Sequence, residues 1–200
     1  GQREFSLFDG GFLAELRKMK EKNLAVLLLE RLVKERIKNY ERTNVVQSQK
    51  FSEMLNMALS NYLKGMLTNE EVIEELLKMA ADIKKTEEEG NILGLNTEEK
   101  AFYDALSSPE GIREAYSNEE FIALTKELTE QLRKNRTIDW NRKETSRARM
   151  RVLVKRLLKK YKYPPEGQEA ALKVVMDQCN KWADDDENLR RSEEHTSELQ

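Results

Sequence analysis

Two hundred residues of which 38% are hydrophobic and 36% charged can bury a core without covalent staples, and eight Gly and three Pro are too few for a strand-rich fold with many tight turns. A single cysteine, Cys179, excludes an intramolecular disulfide and speaks against a zinc site, while the longest apolar run, Leu24 to Leu29, falls far short of the roughly 20 residues of a membrane span. The formal net charge of −2 conceals a polarised chain: residues 131 to 163 hold 13 Lys/Arg against 2 Asp/Glu, leaving 22 against 35 elsewhere.

In chain order, Phe12, Leu13, Leu16 and Met19 fall at helical spacing, and Leu24, Leu28, Leu32, Ile37 and Tyr40 continue it, which predicts two helices or one broken near Asn23. A polar interval, Thr43 to Ser48, is either a bend or a continuous polar turn. Phe51, Met54, Leu55, Ala58, Leu59, Tyr62 and Leu63 then resume the period. Asn44 to Gln47 are expected to serve local backbone or packing needs, and Ser52 and Glu53 to be ordinary helix residues. Thr68 to Glu71 has capping-box spacing and should open a helix bearing Val72, Ile73, Leu76, Leu77, Met79, Ala80 and Ile83, with Gly90 as its left-handed stop.

Asn96 to Glu99 and Ser117 to Glu120 repeat the capping pattern ahead of apolar stretches at 101–106 and 121–132, with one short helix expected over Pro109 to Tyr116. Asn141 and Glu144 make a fourth candidate box, and Asp139 before Trp140 reads as an N-cap rather than a catalytic carboxylate. Pro164-Pro165 should end the next helix, because a residue preceding proline disfavours the α region. A last helix is predicted from about Glu166 to Trp182 with a stripe of Ala170, Val174, Met176, Cys179 and Ala183, and Asp184 to Glu187 as a solvated end.

These elements add up to an all-α chain, a single irregular helical bundle of about seven to nine helices over residues 1–183, with 184–200 a tail too polar to offset its ordering entropy. Gly1 in place of an initiating Met marks the chain as an expected fragment of something longer. Arg191 to Gln200 resembles the translation of a sequencing-library adapter, and it holds the only histidine, His195. The expected location is the cytoplasm, with no membrane contact.

The functional lead is the basic helix. Projected at about 100° per residue, Met150, Leu153, Val154, Leu157, Leu158 and Tyr161 fall in one arc roughly 140° wide that should be buried. Opposite lie Arg151, Lys155 and Lys159 in one stripe and Arg149, Arg156 and Lys160 in an adjacent one, with Arg147 at the boundary. Like charges four apart repel, so such a face has a standing cost that an anionic partner removes. Nucleic-acid phosphate, an acidic protein surface and the chain's own Glu87 to Glu89 or Asp184 to Glu187 are the candidate partners. Trp140, Leu153, Leu157 and Tyr161 are expected to fix this helix to the bundle. The sequence holds no Gly-rich phosphate loop, no dinucleotide fingerprint and no His/Cys/Asp cluster at metal spacing, so no catalytic residue and no bound cofactor are expected here.

The segments Asn44-Val-Val-Gln-Ser-Gln-Lys-Phe-Ser-Glu-Met-Leu55, Ala101-Phe-Tyr-Asp-Ala-Leu106, Asn135-Arg-Thr-Ile-Asp-Trp140 and Val154-Lys-Arg-Leu-Leu-Lys-Lys-Tyr-Lys-Tyr-Pro-Pro165, in that order, resemble the C-terminal helical domain of the restriction subunit of type I restriction-modification enzymes. The resemblance implies a parent that translocates duplex DNA at the expense of ATP, with Mg2+, and cuts it through nuclease and motor domains upstream. It implies for this segment a role in assembly with the methyltransferase and specificity subunits, with DNA contact as a further possibility, and supplies no catalytic residue to transfer. The competing readings are a freestanding, non-specific nucleic-acid-binding helical protein and a plain structural bundle whose basic face is covered by its own acidic segments.

Overall fold

The computed structural model describes residues 9–137 and 140–198, and side chains through Trp182. Among the described residues there are eight α-helices and no strand: α1 (Gly10–Lys18), α2 (Lys22–Thr43), α3 (Val45–Leu63), α4 (Asn69–Ile92), α5 (Thr97–Ser107), α6 (Asn118–Asn135), α7 (Glu144–Lys160) and α8 (Pro165–Glu198). Two 3-10 turns, Arg113–Ala115 and Trp140–Arg142, precede α6 and α7. The all-α expectation holds. The single bundle, however, resolves into two compact units, one of the described residues through Glu41 with Gln47–Gly94, the other of Arg42–Val46 with the described residues from Leu95 onward. No long linker announces the division because the chain passes between units within or beside helices.

In the first unit, Asp9 caps α1 by accepting from the Gly11 and Phe12 amides at 3.0 and 3.3 Å. The break between α1 and α2 falls at residues 19–21, just before Asn23. The core is built from Leu16, then Ala25, Val26, Leu29, Val33, Ile37 and Tyr40 of α2, Phe51, Leu55 and Ala58 of α3, and every apolar position anticipated on α4. On α2 this corrects the expected register: Leu24 is 42% exposed and Leu28 and Leu32 only half-buried, because the stripe runs one position later, through Ala25, Leu29 and Val33. Six consecutive apolar residues leave the phase of a helix ambiguous from periodicity alone.

Thr68 opens α4 with the full capping box, its hydroxyl accepting from Glu71 N at 3.2 Å while Glu71 Oε1 accepts from Thr68 N at 3.1 Å. Gly90 does not stop this helix. It is buried inside the last turns, and the left-handed residue is Gly94, at φ +70°, after Leu93 has closed the helix.

The second unit centres on α5, whose residues Lys100 to Leu106 are all buried as it packs against α6 and α8. Asn96 and Glu99 form the expected reciprocal cap at 2.8 and 2.9 Å, and Ser117 caps α6 through the Glu120 amide at 3.2 Å. The helix expected over Pro109 to Tyr116 is only the 3-10 turn Arg113–Ala115, entered through Gly111 at φ +79°. Arg113 anchors it, donating from Nε to Tyr103 Oη at 2.8 Å and lying over the Phe121 ring at 5.4 Å. The Asn141 box does not form, since Trp140–Arg142 coil into a 3-10 turn around the buried Trp140, and α7 begins from Lys143 without a side-chain cap. Ile138 and Asp139 lie outside the described residues.

Helix α7 ends at Lys160, ahead of the prolines, because Lys162 takes a left-handed conformation at φ 54°. Pro165 instead becomes the first residue of α8, where its missing N–H costs nothing. Two residues on, Gly167 permits a close approach: a Cβ there would sit 2.8 Å from Ile112 Cδ1. The buried stripe of α8 is Ala171, Val175, Gln178, Cys179 and Trp182, so the expected Ala170 and Val174 are one position out of phase, exposed and half-buried respectively. The helix continues to Glu198, past the end expected near Trp182, since no Gly or Pro follows Gly167 to interrupt it. The side chains of residues 183–200, His195 included, lie outside the described residues.

Within this unit the one-residue break at Asn44, between α2 and α3, is clasped by polar side chains. Asn44 Nδ2 donates to Asp104 Oδ2 at 2.8 Å and Lys100 Nζ to Asp104 Oδ1 at 2.5 Å, all three residues being buried. Gln178 Oε1 accepts from Val45 N at 2.8 Å and its Nε2 donates to Thr43 O at 2.9 Å. Removing the shared carboxylate breaks this buried ion pair, so Asp104→Ala is expected to cost about 3–5 kcal/mol in a urea melt. A loss below about 1 kcal/mol would mean that Lys100 does not depend on this carboxylate.

Candidate anionic-partner face

The basic helix is built as its sequence pattern predicts on one side. Met150, Val154, Leu157 and Leu158 are buried, and Leu153 and Tyr161 are half-buried. Trp140, 1% exposed, lies in the 3-10 turn packed against α7 and fixes its start. Tyr163, 1% exposed, donates to Leu106 O at 2.6 Å, and Tyr116 donates to Tyr161 O at 2.9 Å, which together tie its end to α5 and to the segment before α6.

Of the seven expected cations, Arg149, Arg151, Lys155, Arg156, Lys159 and Lys160 are exposed on the opposite side. Arg147 is half-buried, and its Nε is shielded from solvent with no hydrogen-bond partner among the described residues, as is Trp140 Nε1. Lys160 is engaged: its Nζ meets Glu127 Oε1 of α6 at 2.7 Å, beside a hydrogen bond from Tyr161 Oη to the same carboxylate. Among the described residues, Arg149, Arg151, Lys155, Arg156 and Lys159 make no ion pair. At the C-terminal end of α6, by contrast, Arg133 pairs with Glu98 and Lys134 with Glu130 at 3.1 Å, and Arg136 just beyond the helix lies over the Trp182 ring at 5.1 Å. Glu87, one of the acidic residues considered as an internal cover, is paired with Arg36 of its own unit at 3.5 Å.

One residue on this face escaped the sequence reading. Val152 is 54% exposed, and on the same angular projection it falls nearly opposite the centre of the buried arc. Arg149, Lys155 and Arg156 are its neighbours at three and four residues' distance. The sequence held this signal, as an apolar side chain among cations, but attention to charge alone passed over it.

Cys179 is fully buried, and burial pushes its thiol up to about 12, so no reactive thiolate forms near neutral pH. No group of three or more His, Cys, Asp or Glu that could hold a metal occurs among the described residues, and no described helix is long and apolar enough to cross a membrane.

Residues 1–185 match the family model described as "Type I restriction enzyme HindI endonuclease subunit-like, C-terminal". This chain belongs to that family. It is 41% identical over 184 residues to the type I restriction enzyme HindI endonuclease subunit of Haemophilus influenzae, covering 92% of this chain and 17% of that protein. It is 33% identical over 167 residues to a Methanocaldococcus jannaschii protein named provisionally as the type I restriction enzyme MjaIXP endonuclease subunit, covering 78% of this chain and 15% of that one. The chain therefore spans about a sixth of the length of these curated relatives. No solved structure matches it.

The Lys160–Glu127–Tyr161 cluster gives this type I restriction domain a testable edge to its face. Hydrogen bonds from Lys160 and then Tyr161 hold the Glu127 carboxyl below its usual value, and the bond to Glu127 raises Tyr161 to about 12. A depressed carboxylate contributes stability above its unfolded pKa and loses it as pH falls through the folded one, so wild type and Glu127→Gln should converge in stability below the ordinary carboxylate range. The same substitution is expected to bring one more tyrosine into titration near 10, read by tyrosinate absorbance; an unchanged titration would separate Tyr161 from Glu127.

Proposed function

We propose that this helical domain is a non-catalytic assembly domain of a type I restriction enzyme's endonuclease subunit. In this reading the whole protein is an ATP-dependent DNA translocase and endonuclease, and the domain docks to the methyltransferase–specificity core through the cation face of α7. The observation that carries the docking reading is that five exposed cations of one helix have no ion-pair partner among the described residues, while the other side of that helix is core. Family membership supports the parent activity, since the relatives are named endonuclease subunits.

ATP and Mg2+ belong to the motor part of such a parent. We assign neither to this domain, whose described residues offer no phosphate-cradling loop and no metal-capable cluster to fit them. DNA running close to the same face is the second source of negative charge that the arrangement accommodates.

Arg151→Glu, Lys155→Glu and Lys159→Glu combined, in the full-length subunit, tests the reading. All three side chains are exposed, so the fold should survive, as circular dichroism would verify. Co-assembly with the methyltransferase and specificity subunits, or duplex binding, should weaken at least tenfold, and in the DNA case the salt slope should fall by about three. Unchanged assembly together with an unchanged salt titration would sink the proposal.

A further inference from the structure

We infer that the partner of the α7 face is an acidic protein surface with an apolar centre, and that Val152 is the residue it closes over. The inference rests on the docking reading above and deepens it. Its starting point is the position of Val152: an aliphatic β-branched side chain, 54% exposed, on the same side of α7 as Arg149, Arg151, Lys155, Arg156 and Lys159. Ala148, one turn earlier on the same side, is exposed as well, so the backbone of α7 is open to close approach there.

An apolar centre ringed by charge is the anatomy of a protein–protein contact, in which a small desolvated patch supplies binding and a polar rim supplies orientation. Arg149 and Arg156, set on either side of Val152, suit bidentate pairing with carboxylates at that rim. A phosphodiester backbone would gain nothing from the valine. It would also be held off by it, since a branched hydrocarbon occupies the position where a sixth cation would face the phosphates.

A further observation weighs against unpaired nucleic acid as the occupant. Unpaired bases need exposed aromatic platforms, yet Trp140 and Tyr163 are buried and Tyr161 is committed to Glu127.

Val152→Lys discriminates, because it adds a cation while removing the apolar centre. In the full-length subunit, it should weaken co-assembly with the methyltransferase–specificity core at least tenfold and leave affinity for a random-sequence duplex unchanged or higher. Val152→Ile, which keeps the apolar centre, should assemble like wild type. Assembly unaffected by Val152→Lys, while the Arg151/Lys155/Lys159 reversal abolishes it, would overturn this inference and leave the docking reading standing. Tighter duplex binding with unaltered assembly would overturn it in favour of nucleic acid. Indifference of both readouts to both variants would remove the docking reading too.

Discussion

The second unit depends on one buried carboxylate. Asp104 sits mid-helix on α5, 6% exposed, where an uncompensated charge would cost several kcal/mol in desolvation. Lys100, one turn earlier on the same helix, neutralises one oxygen, and the Asn44 amide satisfies the other. Gln178 completes the clasp from α8. A helix end leaves carbonyls without partners and a helix start leaves amides without them, and a break of a single residue puts both kinds of orphan in one buried place. The Gln178 carboxamide, with one donor and one acceptor in use, answers Thr43 O and Val45 N together. A kink that would otherwise strand polar backbone in the interior is thereby made stable, and three separate stretches of sequence are required to agree on it.

With that frame in place, the two sides of α7 can be weighed against each other. Burying Met150, Val154, Leu157 and Leu158 contributes roughly 1.5–3 kcal/mol each, whereas repulsion between cations four apart costs a few tenths per pair. The apolar side wins by a wide margin, so the helix tolerates an unneutralised outer face that its own stability does not require. The neighbouring α6 behaves differently. At its C-terminal end Arg133 and Lys134 pair with Glu98 and Glu130, and Arg136 just beyond it lies over the Trp182 ring.

How much of this was legible in the sequence varied with the kind of signal. On α4 the start and the buried side chains were read correctly and the stop at Gly90 was not, because its apolar residues are interspersed with Glu and Lys and its capping box has only one register, whereas a glycine fits inside a helix as well as after it. On α2 and α8 the helices were right and the phase was not. A run such as Leu24 to Leu29 is apolar all round, and on α8 small residues at 170, 171, 174 and 175 fit two adjacent stripes equally well. Packing chose between them through Trp182, which meets Phe102 edge-on at 5.2 Å. The clasp was invisible for another reason: Asn44, Asp104 and Gln178 are far apart along the chain and each looks like a surface residue by itself. The cation face was legible because helical projection is local. Which of its cations are paired was not, since Lys160 and Glu127 are 33 residues apart and only the fold brings them together.

Several of the residues that carried the family resemblance hold the second unit together, while Gln47 to Leu55 belong to the first. Asn44 and Asp104 form the clasp, Trp140 is buried at the start of α7, and Tyr163 ties the end of α7 to the Leu106 carbonyl. A chain is therefore placed in this family by its scaffold, while the exposed side of α7 enters the same motif only through Lys155, Arg156, Lys159 and Lys160. Of those four, Lys160 is bound to Glu127. Recognition of the family and recognition of the contact surface thus rest on different side chains. The scaffold sets where α7 lies and which way it faces, and what it meets depends on Val152 and the cations around it.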